Sequence, residues 1–178
     1  MKRIVALSLT FWAILLFSAC GGTRNMAERL VPGHYSYEHG WEYDTPDGHV
    51  SVHEVGTMDF HAEGTALDMA LQVYTVTRPD KSTAVIVFKY NSPSCWHVVG
   101  DGFYFSGIEK SFNMEVETVR TDDVVWADNF ARRTIESVRS TIGRETRFHL
   151  ADITKQRLVW SYTYPNGHTD TWEFHRVP

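Results

Sequence analysis

The sequence predicts a mainly β domain: an antiparallel up-and-down barrel of about eight strands carrying one amphipathic α-helix, with a β-sandwich as the alternative. Three observations lead there. Turn-forming stretches recur at short intervals, TPDG (45–48), HAEG (61–64), RPDK (78–81), GDG (100–102) and PNG (165–167), between runs rich in β-branched and aromatic residues. Within most of those runs apolar and polar side chains alternate, the period of a strand with one wetted face. One segment alone, 121–143, changes to helical spacing. A meander removes its exposed edges by closing on itself, which favours the barrel; a sandwich shares the same turn spacing.

Composition sets the outer limits. A chain of 178 residues fits one domain with a real core. Aromatic residues make up 13%, which argues against disorder. The formal net charge is −5, and the longest basic cluster is Arg132-Arg133, so no basic stripe exists to engage nucleic acid.

The chain opens with MKRIVALSLTFWAILLFSAC. Lys2 and Arg3 precede an apolar run, Ile4 to Phe17, of signal-peptide length and too short to span a bilayer. Small residues, Ser18 and Ala19, then lead to Cys20. The stretch resembles the lipobox of bacterial lipoproteins, with Phe17 where that box usually has Leu, Val or Ile. The resemblance implies cleavage before Cys20, attachment of diacylglycerol to its thiol, and acylation of the new amino terminus with a fatty acid such as palmitate. It implies a membrane partner through that lipid. Gly21 stands where Asp commonly retains such proteins at the inner membrane, so the resemblance favours an outer-membrane lipoprotein of the cell envelope. The expected division is a signal peptide over 1–19, a tether over 20–32 and a barrel domain over 33–178.

Parity assigns faces to the early strands. In HVSVHEVGTMDF, Val50, Val52, Met58 and Phe60 oppose His49, His53 and Asp59. In TALDMALQVYT, Leu67, Met69, Leu71 and Val73 form the apolar face, and Asp68, Ala70, Gln72 and Tyr74 the wet one. STAVIVFKY is apolar on both faces and is expected to lie beneath another element. In SFNMEVET, Phe112, Met114 and Val116 oppose Asn113, Glu115 and Glu117. The helix places Trp126, Phe130, Ile135, Val138 and Ile142 on one side; Thr121 or Asp122 can cap its start, acidic residues occupy its first turn, and Gly143 ends it. The last segment reads as a hairpin of two long strands, turned by Asn166-Gly167 in a two-residue type I′ loop.

Three stretches are similar to the lipocalin-like (calycin) barrels: VPGHYSYEHGWEY (31–43), GTMDFHAEGTALDM (56–69) and TDTWEFHRV (169–177). Lipocalins carry Gly-x-Trp in the first strand, and a late arginine packs over that tryptophan at the closed end. The resemblance implies that Gly33 and Tyr35 meet Arg176, with Tyr35 in the tryptophan's place. It further implies a small, mostly apolar or amphipathic ligand inside the barrel. Met69, Leu71, Phe88, Phe103, Phe105, Phe112, Met114, Trp160 and Trp172 are the candidates to line that pocket. If they fill the core instead, exposed aromatics such as Trp41 and Tyr43 offer a surface for protein or glycan.

Chemistry-bearing patterns are sparse. His49, His53, Asp59 and His61 share a face in one uninterrupted strand, but positions four apart lie about 13 Å apart, too far to share one ion without a bend at Gly56. Cys95, the only cysteine besides Cys20, has His97 two residues on; between Pro93 and Trp96 it reads as a small buried residue. Glu115 and Glu117 share a wet strand face. No serine-nucleophile, phosphate-loop or HExxH motif occurs. The expectation is a binding module with no catalytic residues, no metal and no cofactor.

Overall fold

Nine antiparallel strands and one long helix build the domain in a computed structural model that describes residues 29–178. The signal-peptide reading, Cys20 and most of the tether lie outside the described residues. The strands are β1 (Gly33–Thr45), β2 (Gly48–Phe60), β3 (Thr65–Thr77), β4 (Thr83–Val99), β5 (Gly102–Gly107), β6 (Asn113–Arg120), β7 (Thr146–Ile153), β8 (Arg157–Thr163) and β9 (Thr169–Arg176); the helix α1 spans Val124–Ile142. The order β3-β2-β1-β9-β8-β7-β5-β4 closes through the β3–β4 hairpin into an eight-stranded barrel. It is a closed up-and-down meander, the barrel that the sequence predicts, and the sandwich alternative is excluded.

The ninth strand is an excursion. β5 and β6 run in line along the same edge of β4, β5 pairing Ser94–Val99 and β6 pairing Val85–Asn91. Between them lies a single 3-10 turn, Glu109–Ser111. Only β5 continues to β7. The long strands β1–β4 therefore extend beyond the closed part, and α1 covers that extension.

Parity explains the two cores. Along β2, β3 and β4 the even-numbered residues face inward. At the closed end Phe60, Ala66, Trp96 and Val98 join Tyr35, Phe103, Leu158 and Phe174. At the other end Val50, Val52, Val76, Ile86 and Phe88 meet Phe112, Met114 and the helix residues Ala127, Phe130 and Ala131. STAVIVFKY thus lies beneath α1, as its two apolar faces suggest. Asp123 caps the helix, its side chain accepting from Trp126 N at 3.0 Å, so the cap falls one residue later than expected; its first turn carries no acidic residue. The β1–β2 turn holds the helix in place, because Asp47 pairs with Arg133 at 2.5 Å and accepts from Trp126 Nε1 at 3.3 Å.

Other expectations need correction as well. The faces of β3 are reversed: Met69 and Leu71 are 41% and 45% exposed on the outer wall, while Asp68, Ala70 and Tyr74 are buried. The reason is Asp68, whose charge suggests solvent but whose carboxyl finds partners inside. Cys95 is exposed, because Ser94 and Trp96 on either side face in. The last hairpin turns through Pro165-Asn166-Gly167, closed by Tyr164 N donating to His168 O at 2.8 Å, with only Gly167 at positive φ (+85°). Proline's fixed φ suits the first position of a type I turn, and the glycine supplies the left-handed residue that follows; type I′ needs two.

At the closed end Gly33, Tyr35 and Arg176 come together. Tyr35 and Arg176 are register partners. Arg176 lies over the Tyr35 ring at 5.0 Å, and its Nη2 donates to Tyr35 OH (2.7 Å), Leu30 O (2.8 Å) and Pro32 O (2.9 Å). A Cβ on Gly33 would stand 2.6 Å from the guanidinium carbon. Gly33→Ala is expected to displace that guanidinium and cost about 1–3 kcal/mol through its partly buried, charge-assisted hydrogen bonds. In an Arg176→Ala background the same substitution should cost far less, a coupling that urea denaturation of the four proteins measures.

Candidate functional site

Between the two apolar cores lies a polar layer. Tyr37, Glu54, Asp68 and Tyr90 come one each from β1, β2, β3 and β4, all from the inward face. Glu54 is 6% exposed and Asp68 8%. Space for the Tyr37 ring comes from Gly56, where a Cβ would approach the Tyr37 hydroxyl to 2.7 Å. The glycine whose bend seemed to matter for surface histidines serves the interior instead.

The hydroxyls join the carboxylates. Tyr37 OH lies 2.7 Å from Asp68 Oδ1, 3.0 Å from Glu54 Oε1 and 3.0 Å from Tyr90 OH. Tyr90 OH lies 2.5 Å from Glu54 Oε1 and 2.7 Å from Asp68 Oδ2. If both carboxylates are ionised, only two protons serve all these contacts, and the others set oxygen lone pairs against each other. One extra proton on Asp68 relieves the shortest of these, the contact with Tyr90: Asp68 donates to Tyr90, Tyr90 to Glu54, and Tyr37 to Asp68. The electrostatics agree. Burial first, and then the charge of Glu54, push the Asp68 carboxyl up to about 7, against the lowering effect of the tyrosine bonds. Burial and the neighbouring carboxylates also hold both tyrosines well above the ordinary phenol range.

This layer forms one wall of a cavity of about 150 Å³ inside the barrel. The facing wall is aromatic: Phe105 from β5, Phe148 from β7, Trp160 from β8, and Trp172 and Phe174 from β9. Among the described residues no Lys or Arg lines it. The cavity lies close to a parting of strands. β1 and β9 pair only from Tyr35↔Arg176 to Tyr37↔Phe174. In the next inward-facing position the His39 ring packs tilted against Trp172 at 4.5 Å, and burial holds its imidazole below the usual histidine range. Beyond this pair a groove of about 660 Å³ opens between the end of β1 and the last hairpin, with Trp41, Tyr43, Tyr164, His168 and Asp170 along it.

The residues expected to line a pocket divide three ways. Phe105, Trp160 and Trp172 line the cavity, with Phe103 packed behind Trp160 at 4.6 Å. Phe88, Phe112 and Met114 belong to the core under α1. Met69 and Leu71 face outward. Sequence reasoning missed Glu54 and Asp68. The available signal was that each carboxylate shares parity with an apolar neighbour at i±2, Val52 for Glu54 and Ala70 for Asp68.

The surface candidates do not converge. His49 pairs with Asp44 at 2.9 Å, His53 with Glu38 at 2.7 Å, and Asp59 with His34. Among the described residues no three His, Cys, Asp or Glu side chains are placed to hold one metal ion. Cys95 and His97 share the outer face, where His97 stacks on Tyr104 at 4.7 Å and lies 3.9 Å from Glu145. Glu115 and Glu117 are exposed on β6.

No family model and no curated protein matches the chain. Among solved structures it is similar to a lipocalin-like protein from Bacteroides uniformis, with 12% identity over 83% of this chain and 98% of that one, at a TM-score of 0.37.

Proposed function

We propose that the chain is a cell-envelope lipoprotein, held at the outer membrane through lipid on Cys20, whose barrel binds a small amphipathic molecule without transforming it. The observation that carries the binding reading is the cavity itself. A polar wall facing an aromatic wall offers both halves of an amphipathic molecule a surface, in a barrel of the size that holds one small ligand. At about 150 Å³ the cavity takes a head group or a short ligand; the groove beyond His39 and Trp172 gives a longer molecule somewhere to run. The anchor rests on the signal-like opening that ends at Cys20. Among the described residues no helix is long and apolar enough to cross a membrane.

Two experiments test these parts separately. Native mass spectrometry of the full chain, purified from its own host, is expected to show a reproducible extra mass that organic solvent removes. A bare chain in every preparation overturns the ligand reading. Cys20→Ser is expected to move the protein out of the membrane fraction, read by immunoblot of fractionated cells; retention there overturns the lipid anchor. A second reading draws on the groove. Trp41, Tyr43 and Tyr164 form an aromatic surface suited to a sugar ring or a protein side chain, and glycan binding abolished by Tyr43→Ala with the cavity adduct unchanged would favour it.

A further inference from the structure

Trp160 is 4% exposed and lines the cavity, yet its Nε1–H has no hydrogen-bond partner. Two other indoles show the usual provision: Trp96 Nε1 donates to Thr65 O at 2.9 Å, and Trp126 Nε1 to Asp47 Oδ1 at 3.3 Å. The rings packed on Trp160 are Phe60, Phe103, Phe105, Phe148 and Phe174, whose side chains carry no oxygen or nitrogen. A buried donor left without an acceptor is costly. The polar wall has the opposite shortage. Even with the extra proton on Asp68, no proton serves the contacts of Tyr37 with Glu54 and with Tyr90. One wall lacks an acceptor and the other lacks a donor.

We infer that the cavity takes a neutral, hydroxyl-bearing molecule that accepts from Trp160 Nε1–H and donates to the Glu54–Asp68 pair. This names a ligand class for the site proposed above and rests on that reading. A hydroxyl holds both lone pairs and a proton, so it answers both walls. An ammonium carries donors only and leaves Trp160 as it stands. A carboxylate accepts from Trp160 but adds a third acidic group to a buried site that holds two. An ether or a ketone accepts without donating, and sets one more lone pair near the carboxyls. A hydrocarbon serves neither wall. The mouth of the cavity repeats the need: Nε2 of His39, beside Trp172, is also buried without a partner. Its role depends on the tautomer, and a hydroxyl serves it in either. In size, a cavity of about 150 Å³ takes a molecule as large as benzene. That suits a short alcohol, or the hydroxyl end of a longer molecule whose remainder runs into the groove.

The test uses four probes with the same number of non-hydrogen atoms: hexan-1-ol, 1-methoxypentane, heptane and hexylammonium. Each is titrated into the purified full chain by calorimetry, and the assigned Trp160 indole N–H signal is followed by NMR. Hexan-1-ol is expected to bind about tenfold more tightly than each of the others, and to move that signal downfield as a new acceptor does. Trp160→Phe keeps an aromatic ring and removes the N–H. It is expected to weaken hexan-1-ol about tenfold while changing heptane by less than about twofold. The wild-type series and the indole signal stand on their own if that variant fails to fold, which its melting curve reveals. Equal binding of hexan-1-ol and heptane overturns the hydroxyl class and leaves the cavity reading standing. An ether that matches the alcohol overturns donation to the acid pair, and an ammonium that matches it overturns the preference for a neutral group. An unmoved Trp160 signal, or undiminished hexan-1-ol binding in folded Trp160→Phe, overturns the role of Trp160. Binding of none of the four overturns the cavity reading and the inference with it.

Discussion

Phe60→Ala is expected to remove about 3–5 kcal/mol of stability, the range for deleting a buried aromatic ring. Phe60 is 3% exposed at the closed end of the barrel. Its ring meets Tyr35, Trp96, Phe103, Trp160 and Phe174 edge-on, at centroid distances from 5.7 to 6.5 Å. Such edge-to-face pairs contribute roughly 0.5–1.5 kcal/mol each beyond the area they bury. Its partners come from β1, β4, β5, β8 and β9, so they cannot collapse together to fill the space the ring leaves. For a domain whose whole stability is about 5–15 kcal/mol, such a loss leaves little margin. Leu71→Ala provides the contrast. Leu71 is 45% exposed on the outer wall, and its loss should cost under about 1 kcal/mol. Urea midpoints at constant slope measure both. Equal losses would mean that β3 does not present Leu71 to solvent, and the inside of this barrel would have to be redrawn.

That contrast marks where the sequence speaks and where it does not. The meander and the single helix follow from local patterns, turn residues and a change of period, whereas the meeting of Gly33, Tyr35 and Arg176 is an expectation that only the lipocalin resemblance implies. β2 is assigned correctly because Val50, Val52, Met58 and Phe60 outweigh the one carboxylate in their row. β3 is reversed because Asp68 and Gln72 make the inner row look wet, and Leu67, Met69, Leu71 and Val73 make the outer row look dry. Period-2 reading fixes which residues share a face; which face turns inward depends on the partners each side chain meets across the barrel. Asp68 meets the hydroxyls of Tyr37 and Tyr90, which stand 31 and 22 residues away in the chain. No local pattern carries that information. Nor does periodicity separate Trp172, which lines the cavity, from Phe88, which fills a core.

The polar layer makes a second large prediction, in the dependence of stability on pH. In the folded protein the Asp68 carboxyl is pushed up to about 7, from an ordinary value of 3.8. Between those two values the folded chain holds a proton that the unfolded chain has released, so in that window stability falls as pH rises. Above about 7 both states are ionised and the loss is complete. A gap of roughly three units corresponds to a few kcal/mol, as an order of magnitude. Two other groups shape the curve. His39, held low by burial, works the other way just below its ordinary value of 6.5, where the unfolded chain binds more protons than the folded one. Tyr37 and Tyr90, both raised, add a further fall above pH 10. Asp68→Asn isolates the aspartate. Its amide oxygen can accept from Tyr37 and its amide nitrogen donate to Tyr90, the same pattern that the protonated acid makes, with no charge to bury. The variant is expected to match wild type near pH 4 and to exceed it by a few kcal/mol at pH 8, the difference growing between the two and then levelling. Denaturation midpoints measured from pH 4 to 9 test this, and parallel curves for the two proteins would show that Asp68 carries its charge in the fold without penalty.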